Sequence, residues 1–565
     1  MNLRPTPAIV SQAAVRSLPR WALGLVCVLF LLPGFVGRDP WRAHELAAFA
    51  VMLDMAWLQG SWSNPQVLGQ AAEQWGLLPY WLGAMSIQAF GWLDAAWAAK
   101  LPFMGLTALT LWATWHSAFL LAVQPAAQPV TFAFGGEARP TDYARALADG
   151  SLLLLVACLG LALLAHETTI DTAKLAFAAL WLLSWVRLHV KGYQTKTLLY
   201  WTLGSLGLSL SGAPLLTVVL VMAATLVLGK SQHQANPLPI WQTLVFTLPS
   251  LLVLWGVVQL GWAWPSGSWA TAFTLYNMRS MVELLTWFTW PAGILGLWAL
   301  WKWRNHISEA HIYVPSLVIV AVLLASFFQG AADRVLLLAL PALAVLGAFA
   351  LPTLKRSVIA LVDWFAVLFF SLGAVFIWVM WLAMMTGIPA KPAANVARLA
   401  PSFNAEFSWL LFLPALLATL GWISLIAWRI GRAQVALWKP VVLSASGAML
   451  CWVLLMTLWL PLLNHGMGLA PLSQRIAQLT GPSSCVVLHG LSDTYVGALL
   501  YHGELQVVRT TQDQVSDCKW LLVAPSAYEI PSPKLNWNEW EFVQTVPRLR
   551  ESQESVLLLK RIAAQ

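Results

Sequence analysis

The chain has 565 residues, 59% of them hydrophobic and only 10% charged, with a mean hydropathy of +0.70. That composition excludes an ordinary soluble protein and leaves a polytopic membrane protein. The net charge of +8 is no nucleic-acid footprint, because no basic stripe is interleaved with exposed aromatics; the 35 Trp residues suit membrane interfaces.

Apolar runs long enough to span fall at 21–36, 98–122, 150–165, 172–188, 197–211, 213–229, 241–262, 287–301, 312–329, 333–352, 359–384, 407–428 and 440–463, about thirteen in all. Pro33-Gly34-Phe35-Val36 closes the first run without a small-residue cleavage site, so it reads as a retained anchor. With the N-terminus inside, inner segments hold Arg16, Arg20, Arg139, Arg145, Arg187, Lys191, Lys302 and Lys355 among others, about twice the Lys and Arg of the short outer loops. An odd number of spans then carries the C-terminal region outside, on the same face as the loop after the first run.

That loop opens on Gly37-Arg38-Asp39-Pro40-Trp41-Arg42-Ala43-His44-Glu45, a charge cluster at a membrane boundary in a chain with few charges to place. Charges just past a helix end also mark the interface without further purpose, and position alone does not choose between these. The loop runs to residue 95. Within it Leu46, Phe49, Ala50, Leu53 and Trp57 keep helical spacing between Trp41 and Gln59, which predicts an amphipathic helix lying in the interface, with a second from Tyr80 to Phe90. Residues 124–148, rich in Pro and Gly, read as a mobile inner loop. Residues 263–286 and 385–406 read as outer loops, the latter poised to order over a substrate.

From about residue 465 the pattern changes to a small soluble domain: helix 471–479, strand 485–489, helix 493–502, strands 505–509 and 519–524, then an extended pair near 541–545 and 555–560. This alternation predicts an α/β sandwich, without a Gly-rich phosphate loop. Cys27, Cys158 and Cys451 lie in spans as packing residues. Cys485 and Cys518 each open a β-type run, so parallel neighbouring strands would put both sulfurs at one sheet end, where an oxidising compartment permits a disulfide.

The order of these parts resembles the GT-C-type membrane glycosyltransferases, in particular the protein O-mannosyltransferase and lipid A aminoarabinose transferase group, over nearly the whole chain. The group's Asp-Glu-x-Arg-Tyr-x-Glu pattern is met by Asp39, Arg42 and Glu45, with Pro40 in place of the second acid. Its Glu-Lys-Pro-Pro-x-x-Tyr-Trp-Leu element is met by Glu73 and Tyr80-Trp81-Leu82, with Gln74 in place of Lys. Its second acidic element falls on Asp171, and its Gly-Leu-Ala-x-Leu-Thr-Lys-Gly-Pro run on Gly207 to Pro214, with Ser211 in place of Lys. A Pro-Arg-Tyr element is reduced to Arg334.

The resemblance implies a sugar held on a polyprenyl phosphate and attacked by an acceptor oxygen of lipid A, a glycan or a protein, at the periplasmic face of a bacterial inner membrane. A carboxylate that takes the acceptor proton lowers the barrier, and Asp39 is assigned that role. Arg42 and Arg334 offer the guanidinium forks that match a leaving phosphate. Glu45, Glu73, Tyr80, His166 and Asp171 complete the expected substrate-binding set. Structural alternatives stand beside them: Glu73 paired with Arg42 or Lys174, Asp171 capping a helix at Thr172, and His166 as an interfacial polar residue. No cofactor is required; Asp39, Glu73 and Asp171 could together hold a divalent cation. The missing lysines leave room for an inactive binding or assembly subunit. A lipid-linked-sugar transporter would place charges near the midplane and show internal repeats, and neither is seen.

Overall fold

The structure, a computed structural model, describes residues 5–58, 60–230, 274–328, 333–401, 403–431, 436–510, 518–528, 535–548 and 555–562, with scattered positions between 245 and 259. Up to Thr480 the described chain is almost wholly helical. After α1 (Arg20–Phe35) come α2 (Ala43–Trp57), a short hairpin of β1 (Gln66–Val67) and β2 (Gln70–Ala71), then α3 (Leu78–Ala89) and α4 (Ala95–Ala122). The bundle continues through α5 (Pro140–Ala157), α6 (Leu159–Leu164), α7 (Ile170–Lys191), α8 (Thr195–Leu210) and α9 (Pro214–Lys230). Its second half comprises α10 (Leu275–Phe288), α11 (Ala292–Lys302), α12 (Ala310–Phe328), α13 (Asp333–Leu336), α14 (Leu340–Ala348), α15 (Arg356–Thr386), α16 (Ala390–Leu399), α17 (Trp409–Gly431), α18 (Lys439–Leu458) and α19 (Leu460–Met467).

The apolar runs do not map one to one onto helices. Among the described residues five helices are long and apolar enough to cross a membrane, or six if α10 and α11, bent by 97°, count as one span. The run at 150–165 belongs to a helix that starts ten residues earlier, at Pro140, and breaks after Ala157. The run at 333–352 passes through a 3₁₀ turn, and that at 440–463 divides at Trp459. Most of the expected 241–262 span and the start of the 263–286 loop lie outside the described residues. The 124–148 segment is no loose loop: Val130 N–H donates to Ala8 O and Ala138 N–H to Val10 O, so the N-terminal strand of chain pins it down before α5 begins. The 385–406 segment contains α16, which starts three residues after Gly387 ends α15 in the left-handed conformation.

The C-terminal part is α20 (Ala470–Thr480), β3 (Cys485–His489), α21 (Asp493–Tyr501), β4 (Gln506–Arg509), β5 (Trp520–Val523), β6 (Trp540–Pro547) and β7 (Ser555–Arg561). The sheet order is β4-β3-β5-β7-β6; β3 runs parallel to β4 and β5, and β7 antiparallel to β5 and β6. Val486 stands opposite Trp520, so the parallel strands start at one edge, and Cys485 is disulfide-bonded there to Cys518.

One departure matters for the site. Helix α2 leaves no face open for lipid: from Glu45 to Met55 every residue is buried within the protein. It is sandwiched between α3 and α4 below and α21 above. Gly497 makes the crossing possible, since a Cβ there would come within 2.6 Å of Leu46 O. A single apolar cluster joins Leu46, Phe49 and Leu53 of α2 to Ile476, Val486, Leu488 and Leu499. The C-terminal domain is therefore seated on the bundle through a shared core.

Candidate functional site

The acidic loop between α1 and α2 is held by a buried ion pair. Arg38 spends its fork on Glu45, with Nη1 to Oε2 at 2.8 Å and Nη2 to Oε1 at 2.5 Å, while its Nε donates to Gly34 O at 2.9 Å and Nη2 also to His166 O at 2.6 Å. Glu45 accepts in addition from the Trp41 and Thr168 N–H groups. Burial opposes its charge, yet Arg38 outweighs that, helped by Lys100 and the Thr168 N–H, and holds the carboxyl below the usual range. Glu45 is fully buried, and both its oxygens are taken by Arg38 and by the Trp41 and Thr168 N–H groups.

Asp39 stands beside this lock and remains partly exposed. Its N–H donates to Asn464 Oδ1 at 3.1 Å; the same oxygen takes the Trp41 indole N–H at 2.6 Å, and Asn464 Nδ2 donates to Gly37 O. Asn464, in α19, thus brackets residues 37–41 from the far end of the helical bundle. Lys100 Nζ donates to Arg38 O, and the Asp39 charge acts on it and on Tyr501 and His502 of the C-terminal domain.

Arg42, Asp171 and Arg334 are brought together around a residue the motifs did not single out, Glu167. Arg334 reaches Glu167 Oε2 at 2.8 Å and Asp171 Oδ2 at 3.0 Å; Lys174 reaches Asp171 Oδ1 at 3.2 Å; Arg42 lies 3.5 Å from Glu167 Oε1. Three cations thus face two carboxylates. The Arg42 side chain is the most open of the three cations, 37% exposed, and its ion pair is the longest. Burial pushes the Glu167 carboxyl up to about 7, against the opposing pull of Arg334 and Arg42. Neither Glu167 oxygen makes a well-aligned hydrogen bond despite the close cations. Asp171 lies in the first turn of α7, engaged with Arg334 and Lys174 rather than capping a helix. Glu167 has a faint sequence signal: a carboxylate in the polar stretch His166 to Asp171 that follows an apolar run, four residues before Asp171.

The remaining expected residues have other work. Glu73 pairs with neither Arg42 nor Lys174: Asp493 N–H donates to its Oε1 at 3.1 Å and its own N–H donates to Asp493 Oδ2 at 3.3 Å, so it caps α21 and clamps the domain down. Tyr80 is buried, and its hydroxyl donates to Gln74 O at 2.9 Å. His166 is buried against Phe30, Phe35 and Trp452, with its ring nitrogens on the Ala162 and Phe30 carbonyls. Tyr80 and His166 both spend their polar atoms on backbone carbonyls. At the two positions where lysines were expected, Gln74 meets His44, and Ser211 is buried where Leu77 N–H donates to Leu210 O. Desolvation and the Arg334 charge hold the His44 imidazole below its ordinary pKa. Asp39, Glu73 and Asp171 are not gathered as one ligand set; among the described residues no three His, Cys, Asp or Glu side chains are grouped for a metal ion.

No protein-family profile matches the sequence, and no curated protein matches it. Two solved structures do. ArnT from Cupriavidus metallidurans in the apo state superposes with a TM-score of 0.61 at 13% identity, covering 96% of this chain and 98% of that one. The same protein bound to undecaprenyl phosphate superposes with a TM-score of 0.57 at 14% identity, with the same coverage. Over nearly its whole length the chain has the fold of ArnT, a GT-C-type membrane glycosyltransferase fold.

Proposed function

We propose that the protein is a glycosyltransferase that moves a sugar from a polyprenyl-phosphate donor to an acceptor on lipid A, a glycan or a protein. The membrane is the bacterial inner membrane, with the C-terminal domain and the site on the periplasmic side. The observation that carries this reading is the cluster of Arg42, Arg334 and Lys174 under the docked domain, built on a fold shared with a protein solved with undecaprenyl phosphate.

In the reaction the bond between the anomeric carbon and the phosphate oxygen breaks as the acceptor oxygen attacks from the opposite face. The acceptor proton passes to the Asp39 carboxylate, and the phosphate leaves with the bonding electron pair. Arg42, the most open cation, meets that phosphate, while Arg334 and Lys174 add charge from behind. An already anionic acceptor would need no base, and Asp39 would then only orient it. Bound undecaprenyl phosphate, followed by native mass spectrometry, should be lost in Arg42→Ala and kept in Asp39→Asn. Retention by Arg42→Ala would place the phosphate elsewhere. A chelator should leave turnover unchanged, because arginines meet the phosphate charge in this scheme.

A binding or assembly subunit is the second reading. It is favoured by Gln74 and Ser211, whose side chains are turned to His44 and buried, respectively, so neither supplies the expected cation.

A further inference from the structure

A cleft of about 1440 Å³ opens between the β1–β2 segment and the C-terminal domain, at the C-terminal end of α2. It exceeds the roughly 300–1,000 Å³ of a pocket for one small ligand and is partly open to solvent. Trp57, half exposed at the end of α2, stands on one wall. Three amides project from different elements: Gln66 of β1, Gln474 of α20 and Gln506 of the edge strand β4. Asp54, Asp94 and Glu504 supply carboxylates, and no Lys or Arg lines the cleft among the described residues.

Helix α4 connects the cleft to the Asp39 loop: Asp94 and Ala95 at its start line the cleft, and Lys100, further along it, donates from Nζ to Arg38 O beside Asp39. Tyr501 donates to both Asp94 oxygens at 2.8 Å, and the Asp39 charge acts on both Tyr501 and its neighbour His502. All of Asp94, Tyr501 and His502 line the cleft.

We infer that this cleft is the acceptor site and that the acceptor is a neutral or amino-bearing oligosaccharide rather than a phosphorylated head group. The inference rests on the transferase reading for the word acceptor, and on the cleft alone for the saccharide. A sugar ring offers an apolar C–H face to an aromatic such as Trp57 and hydroxyls that both donate and accept, which is what amide and carboxylate side chains satisfy. A phosphate here would face Asp94 and Glu504 with no lining cation to offset the repulsion. An uncharged hydroxyl acceptor also gives Asp39 a proton to take. Two anionic substrates would leave it none.

The test uses the full chain in lipid nanodiscs with three probes: chitotetraose, its N-deacetylated form, and a bis-phosphorylated glucosamine disaccharide. Saturation-transfer NMR should show the first two binding, weakened about tenfold by Trp57→Ala and by Gln506→Arg. Binding of the phosphorylated disaccharide alone, or tetrasaccharide binding indifferent to both cleft variants, overturns the inference. Consumption of a polyprenyl-phosphate sugar is followed in parallel. Tetrasaccharide binding without donor consumption keeps the cleft and removes the transferase, whereas donor consumption without tetrasaccharide binding does the reverse.

Discussion

Glu167 is buried against two arginines that do not fully compensate it, and its chemistry follows from that. Its carboxyl rises from an ordinary 4.5 to about 7, so the folded protein holds a proton that the unfolded chain releases. The stability this contributes is complete below pH 4.5 and is lost as pH rises through 7. Melting temperature in detergent should therefore fall over that window, and Glu167→Gln should flatten the fall; an unchanged slope would show that another group titrates. Glu45 behaves oppositely, because its fork with Arg38 is complete. Glu45→Ala strands a buried guanidinium and should cost about 3–5 kcal/mol, seen as a loss of folded protein, while Arg38→Met with Glu45→Leu should cost much less. The motif at 39–45 was legible as a cluster, but its division of labour was not. Sequence spacing does not reveal that Arg38 turns inward to Glu45 and leaves Asp39 and Arg42 facing outward. Asn464 was invisible because its bracket spans 425 residues to Asp39.

At the scale of elements, the seat of the C-terminal domain rests on α2 and α21. The Cβ of Gly497→Ala would stand against Leu46 O, so that substitution should part the two helices at a cost of about 1–3 kcal/mol. Hydrogen exchange in α2 should rise in the variant. Wild-type protection in both would show that the contact is not close. The strands and helices of the tail were readable one by one, since alternation and turn residues are local signals. The burial of α2 was not. Its apolar stripe predicted an amphipathic helix, and an apolar face is equally served by lipid or by another domain. The same ambiguity blurs where helices end: a hydropathy run registers composition, not the bends at Trp459 or between α10 and α11.

For the molecule as a whole, the two ends of the sequence meet at the site: Asp39 from the first loop, Arg334 from the middle of the bundle, and Asp493 of the domain clamped to Glu73. The Cys485–Cys518 bridge closes a loop of 33 residues in that domain. Its removal by Cys485→Ser with Cys518→Ser should cost about 3–4 kcal/mol in the chain-entropy picture, read as a lower melting transition of the wild type on reduction but no further change in the variant. The fold itself was legible from the order of parts, because the long acidic loop, its helices and the terminal α/β domain recur together. The central claim remains chemical, and glycosyl transfer by reconstituted protein tests it most directly. Wild type and Asp39→Asn would be supplied with a mixture of polyprenyl-phosphate sugars and oligosaccharide acceptors, with products followed by mass spectrometry. The account predicts turnover by wild type and a fall of about 10²–10⁴ in the variant, with the folded protein unchanged. Equal turnover in both would contradict it.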